Sequence, residues 1–200
     1  MTIVLETERL LLRQFREADA RSLWLMEQDP EVMRFVGRKP LADVESYRLK
    51  IQSLHNPLDS FVGFGSWAIV EKACRTFVGA CSLRRGFDVR CARELDYRSD
   101  DTEIGYGLCR SVWGNGFATE IVGALIQRAF VMLNTACLVA CVMVENLASI
   151  RVLEKSGFQR SGKPICLPGE AIESVKYSLF RADYEKLIAG SIRKQRRAAL

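Results

Sequence analysis

The sequence predicts an α/β (α+β) domain built around one mixed sheet, and three observations predict it. Residues 65–70 and 76–83 are apolar runs joined by a short polar link at 71–75, the pattern of an antiparallel pair. Residues 136–144 are an unbroken apolar run, which marks a strand buried on both faces. Between a strand over 102–109 and that run lies a long helical pattern over 116–133. Its apolar positions are Ile121, Leu125, Ala129, Val131 and Met132.

The other elements follow in chain order. Residues 9–15 read as the first strand. A helix over 17–28 sets Ala20, Leu23, Trp24 and Glu27 at helical spacing, and Pro30 marks its end. Val44, Tyr47, Ile51 and Leu54 carry a second helix, stopped near Asn56-Pro57. A short helix over 147–156 ends at Gly157, a residue suited to a helix C-terminus. Residues 158–160 and 174–180 close the sheet, and 182–188 form a last helix. Residues 84–101 hold five arginines and five acidic residues, so they carry no net charge. They are expected as a solvated hairpin extension, with acceptor recognition as the lesser reading.

Composition narrows the class. Two hundred residues fit one domain, placed at 1–190, with a basic tail over 191–200. A chain this long buries a core without disulfides or a structural metal. The net charge is +5, but Arg193, Lys194, Arg196 and Arg197 leave about +1 for the rest. The basic balance is therefore a solvated, frayed end and not a nucleic-acid surface. Seven cysteines form no C-x-x-C pair, and His55 is the sole histidine, so no zinc or other metal site is expected. The cysteines read as reduced, small apolar residues of a cytosolic protein. Glu6, Glu8 and Arg9 interrupt the opening segment, leaving no signal-peptide core, and no apolar run approaches the ~20 residues of a membrane span. A cytoplasmic protein without membrane contact is expected.

The chemistry is concentrated in residues 103–120. A strand runs out, a loop containing Gly114 and Gly116 turns the chain, and a helix begins. Two glycines permit positive φ and close backbone approach to a bulky group. The unpaired N–H groups of the first helical turn, with the helix dipole, favour an anion such as a pyrophosphate. Ala118 is small enough to allow that approach, and the Thr119 hydroxyl adds a hydrogen bond. No Lys-Ser/Thr pair follows, so the turn is not a P-loop. Residue 119 is Thr where a dinucleotide fingerprint has Gly or Ala. By itself the turn is equally a tight connection or an anion site.

A second unit, Asn146-Leu-Ala-Ser149 followed by Glu-Lys-Ser-Gly157-Phe158, comes after the apolar strand. With Glu-Ile-Gly-Tyr at 103–106 and Trp-Gly-Asn-Gly-Phe-Ala-Thr-Glu at 113–120, it resembles the GNAT N-acetyltransferase superfamily. Within that superfamily the chain is most similar to the ribosomal-protein N-terminal acetyltransferases, the Rim group. Thr7-Glu8-Arg9-Leu10 looks like that group's opening, and the resemblance spans roughly residues 7 to 185.

The resemblance implies a mixed, mostly antiparallel central sheet, flanked by helices, in which two parallel strands splay apart. Acetyl-CoA, the expected co-substrate, would enter that wedge. Its pantetheine would pair with the backbone at Tyr106 to Leu108 and meet Asn146. Its pyrophosphate would lie on the turn formed by Gly114, Asn115, Gly116, Phe117, Ala118 and Thr119. Trp113 stands where many members carry Gln or Arg, a loss that a turn binding through backbone N–H groups tolerates. Glu103 is the expected base, directly or through a water, the Leu108 N–H the oxyanion donor, and Ser149 the donor to the departing sulfur. Leu153 occupies the position where many members place a tyrosine for that last role. Trp67 and Phe64 are expected in the core, with the acceptor site as the lesser reading.

The resemblance implies that the acceptor would be a primary amine, preferably a protein N-terminal α-amino group such as that of a ribosomal protein. A small amine (polyamine, amino acid or aminoglycoside) and a non-catalytic CoA-sensing or ribosome-associated module are the alternatives. A polycation is mildly disfavoured, because acids such as Asp43, Glu45, Asp59, Glu170 and Glu173 form no dense cluster. Whether the chain forms a homodimer stays open.

Overall fold

The computed structural model describes residues 2–54, 63–89, 91–169 and 171–198, the stretch 191–198 as backbone only. His55, the stop at Asn56-Pro57, Asp59, Glu170 and the basic side chains from Arg193 to Arg197 lie outside the described residues.

Nine described strands form one sheet. They are β1 (Ile3–Glu6), β2 (Leu10–Gln14), β3 (Gly65–Glu71), β4 (Thr76–Arg85), β5 (Asp101–Leu108), β6 (Cys137–Met143), β7 (Gln159–Arg160), β8 (Ile165–Cys166) and β9 (Glu173–Phe180). The order is β1-β2-β3-β4-β5-β6-β9-β7, with β8 also on β9. Every pairing is antiparallel except β5 with β6, which is parallel. The connection between those two strands is a crossover helix, α4 (Phe117–Val131), as a parallel pair requires.

Helices cover both faces. On one, α4 buries Ile121, Val122, Leu125, Ile126 and Ala129 against sheet residues that include Leu12, Ile69 and Leu138. A buried Leu or Ile of this kind contributes about 1.5–3 kcal/mol. On the other face lie α1 (Asp19–Gln28) and α3 (Val44–Ser53), with the short α2 (Pro30–Met33) leading out of α1. Leu23, Tyr47 and Ile51 pack there with Phe15 and Ala68. At the end of α1 the chain turns at Asp29, whose side chain caps Glu31 N–H, and Pro30 starts α2. Pro30 thus closes one helix and opens another, because a proline at the first helical position loses no hydrogen bond.

α5 (Leu147–Lys155) stops at Gly157, whose φ of 93° is left-handed, and the Phe158 N–H bonds back to Leu153 O at 3.0 Å. β6 is buried along nearly its whole length, and Trp67 sits in the core at 4% exposure.

Three expectations are corrected. Residues 84–101 are not a solvated extension: after β4 and a tight turn at Gly86–Asp88, Val89, Cys91 and Leu95 form a small core with Leu167. Those apolar residues were hidden among ten charges. Val131 and Met132 lie on the solvent side of the α4 end, not on its buried face. The last helix, α6, runs Arg181–Ala198, past the end expected at 188. No described helix is long and apolar enough to cross a membrane.

Candidate active site

β5 is held on its two edges unequally. It pairs with β4 from Arg85↔Thr102 to Gly79↔Leu108, but with β6 only at Asp101↔Cys137, Thr102↔Leu138 and Glu103↔Val139. Beyond Glu103 the parallel strands part. Among the described residues, the edge of β5 from Ile104 to Leu108 that faces β6 has no partner strand. Its peptide groups are open to an extended ligand carrying amides of its own. A cavity of about 770 Å³ lies in this wedge and continues beneath α1–α3.

At one end of the cavity is the glycine turn. Gly114 and Gly116 have φ of 79° and 78°, in the left-handed region. A Cβ on Gly114 would meet nothing within 4 Å, so the backbone angle, not crowding, calls for glycine. Gly116 is the N-cap of α4 and no side chain caps it, which leaves the first-turn N–H groups facing the cavity. Gly114, Gly116, Phe117, Ala118 and Thr119 line the cavity, as does Trp113, whose indole N–H donates to Leu108 O at 2.9 Å. Asn115 does not line it; its carbonyl accepts from Arg9 Nη1 at 2.9 Å. Arg9 also donates from Nε to Glu120 Oε2 at 2.7 Å and lies over the Phe117 ring. The first strand pair therefore braces the turn.

In the middle, Tyr106 from β5 and Ser149 from α5 bring their hydroxyls to 2.8 Å. Asn146 caps α5 by accepting from Ser149 N at 3.1 Å. Burial pushes the Tyr106 phenol up to about 12. Leu153 is buried in the core at 1% exposure, so the tyrosine that reaches this wedge comes from β5.

Glu103 is 4% exposed and pairs with Arg84 at 2.5 Å. Arg84 lines the cavity; the carboxylate lies behind it. Burial raises the Glu103 pKa above its ordinary value, with the Arg84 guanidinium acting in the opposite direction.

The far half of the cavity is walled by Leu23, Met26, Val32, Phe35 and Val36. Its charged centre is Glu27, 5% exposed. Arg38 Nη2 donates to both carboxylate oxygens at 2.5 and 2.6 Å, Tyr47 donates to Oε2 at 2.6 Å, and Lys50 stands 3.5 Å from Oε1. A buried carboxylate needs such partners. Desolvation lowers the Lys50 pKa, with Arg38 adding to the effect and Glu27 opposing it. Of the acids considered for this region, Asp43 caps α3 and Glu45 pairs with Arg48. Among the described residues, no group of three His, Cys, Asp or Glu side chains is placed to hold a metal.

Arg9, Glu27, Arg38, Lys50, Arg84 and the hydroxyl role of Tyr106 were not foreseen. Only Arg9 carried a signal, as part of the opening motif; the others are set by contacts between segments distant in sequence.

A splayed strand pair with an uncapped helix at its mouth suits an extended ligand with amides along its arm and an anionic end, as an acyl-CoA has. The acetyltransferase (GNAT) domain family matches residues 9–159, and the chain belongs to it. It is an acetyl-CoA-dependent N-acetyltransferase. It is similar to the uncharacterized N-acetyltransferase p20 of Bacillus licheniformis, at 34% identity over 183 residues, 90% of this chain and 97% of that one. In fold it resembles spermidine N-acetyltransferase from Vibrio cholerae, solved with CoA and spermine. The TM-score is 0.68 at 17% identity, over 88% of this chain and 98% of that one. It also resembles RimL, a ribosomal L7/L12 alpha-N-protein acetyltransferase solved with CoA. There the TM-score is 0.68 at 18% identity, over 89% of this chain and 97% of that one.

Proposed function

We propose that this enzyme acetylates the α-amino group of a polypeptide N-terminus, with ribosomal-protein N-termini among the acceptors, in the cytoplasm. The fold neighbours act on a polyamine in one case and a protein N-terminus in the other, at the same TM-score, so the acceptor half of the cavity has to discriminate. The observation that carries the reading is its charge. Glu27 is consumed by Arg38, Tyr47 and Lys50, and Glu31 stands at the exposed rim, so cations are not outnumbered by acids. A polyamine or aminoglycoside would be repelled there. An α-amino group has a pKa of ~7.7–8.0 against ~10.4 for lysine, so it needs less help to become the neutral nucleophile.

In the reading, the amine nitrogen attacks the thioester carbonyl in a ternary complex and the C–N bond forms. The Leu108 N–H holds the oxyanion. Glu103 takes the ammonium proton through a water once Arg84, which is half-exposed, moves aside. The C–S bond then breaks, and the thiolate takes a proton from the Ser149–Tyr106 pair. The test is acetyl-CoA-dependent thiol release against N-terminal peptides, polyamines and aminoglycosides. Peptides turned over with kcat/KM at least tenfold above the rest support the reading. Spermidine as the best acceptor sinks it, and tight acetyl-CoA binding without turnover of any amine points to a sensing module.

A further inference from the structure

Among the described residues of the acceptor half, one buried carboxylate, Glu27, faces two cations, with Glu31 at the exposed rim. Arg38 is spent on Glu27 with a two-pronged contact and also donates to Lys39 O at 3.2 Å. Lys50 is committed less closely, 3.5 Å from Glu27 and 5.5 Å from the centroid of the Tyr47 ring. An ammonium has three donors in a rotatable head. Tyr47 fills the remaining site on the Glu27 carboxylate, so Glu27 accepts no cationic acceptor without losing one of its own partners. The centre therefore holds one positive charge more than Glu27 cancels, in a half-buried wall beside an apolar surface. Partial desolvation strengthens what an anion gains there relative to water.

We infer that Lys50, backed by Arg38, is an anion subsite, and that the preferred acceptor carries a carboxylate near its amine. The geometry is one continuous cavity, lined by Tyr106, Ser149 and Arg84 of the reacting site, by the apolar Met26, Val32 and Phe35, and by Lys50. The inference rests on the proposed N-terminal activity and narrows it to chains whose first residues are acidic. Free glutamate supplies the same chemistry through its side-chain carboxylate. Glu27 then acts as a positioning residue: it fixes both cations and keeps the uncomplexed pocket from carrying two uncompensated charges.

The experiment uses the full chain with saturating acetyl-CoA. Three heptapeptides with free N-termini differ only at the second residue (Glu, Ala or Lys), and free glutamate, glutamine and lysine form the parallel arm. The expected order of kcat/KM is Glu above Ala above Lys, with about tenfold between the first two, as one partly buried ion pair gives. In Lys50→Gln the Glu-to-Ala ratio falls below twofold, whereas Lys50→Arg keeps it. The ratio is internal to each variant, so a general loss of active protein leaves it unchanged. Equal rates for Glu and Ala peptides in the wild type overturn the anion subsite and leave N-terminal acetylation standing. The same ratio in Lys50→Gln overturns the assignment to Lys50. Turnover of glutamate over glutamine without turnover of any peptide keeps the subsite and overturns the N-terminal reading. Preference for lysine in both arms overturns the subsite.

Discussion

The Tyr106 hydroxyl on β5 and the Ser149 hydroxyl at the start of α5 lie 2.8 Å apart, bridging the two sides of the open wedge. One hydroxyl proton lies between the two oxygens and the other is free to be given away, so the pair is a single donor unit, and burial pushes the phenol pKa up to about 12. Groups that act as a unit are non-additive on mutation. Tyr106→Phe and Ser149→Ala are each expected to lower kcat by about tenfold. A thiolate leaving group with a reference pKa near 8.5 needs only modest help, so the loss stays below the usual ~10²–10⁴ of general acid catalysis. The double variant should be no slower than the slower single one. Independent, multiplying losses would show that the two hydroxyls have separate tasks.

Glu103 offers a pH signature. Burial raises its pKa from the ordinary 4.5 and Arg84 opposes the rise. Base catalysis needs the ionised form, so activity should fall as pH drops through the raised value. Arg84→Met removes the opposing charge, and the acidic limb of kcat/KM should move to higher pH. Stability runs the other way. The folded state binds this proton more tightly than the unfolded chain, so the stabilisation is full below the unfolded value and lost as pH rises through the folded one. Urea unfolding of the two proteins from pH 4 upward tests the sign. Glu103→Gln should lower turnover and leave acetyl-CoA affinity nearly intact.

Arg9 ties the first strand pair to the glycine turn through Glu120 and Asn115 O. Loosening the turn should weaken grip on phosphates more than on the acyl arm. Arg9→Ala is expected to raise KM for acetyl-CoA by about tenfold with kcat little changed. For acetyl-pantetheine, which lacks the nucleotide phosphates, kcat/KM should change less than about twofold on the same reasoning. Arg9→Lys should restore part of the loss, because it returns charge but not the forked geometry. Equal loss with both donors would reduce Arg9 to a general structural role.

Gly114 separates backbone angle from space. Gly114→Ala places a side chain where nothing stands within 4 Å, but at a φ of 79°. The left-handed angle alone costs about 1–2 kcal/mol for an alanine. Thermal unfolding should register that loss, and Gly114→Asn should recover part of it. A full-strength Gly114→Ala protein would mean the turn adopts another angle in solution.

Legibility in the sequence followed range. The glycine turn, the helix after it and the stop of the short helix at Gly157 were readable because each depends on neighbours in the chain. β1 was missed because Glu6, Glu8 and Arg9 masked a four-residue apolar strand; β8 has only two residues to announce it. Glu27 was read as one position of a helical stripe. Its true company, Arg38, Tyr47 and Lys50, comes from 11 to 23 residues away and assembles only when α1 and α3 pack. The acceptor pocket was unreadable for that reason; of the acids named for that side, Asp43 serves a helix end and Glu45 a surface pair.

The parting of β5 from β6 also has a mechanical side. The strands on either side, β1–β5 and β6–β9, share three residue pairs at one end of the sheet and are otherwise coupled through packed helices and the small core of Val89, Cys91, Leu95 and Leu167. A molecule seated in that seam would work as a stitch between the two panels. Backbone amides from Ile104 to Leu108 should then exchange with solvent far more slowly once acetyl-CoA is present. The unfolding midpoint should climb with its concentration, the added stability reaching about 2.7 kcal/mol at a hundred times the dissociation constant. The gap that admits the substrate is also the place where the substrate completes the sheet.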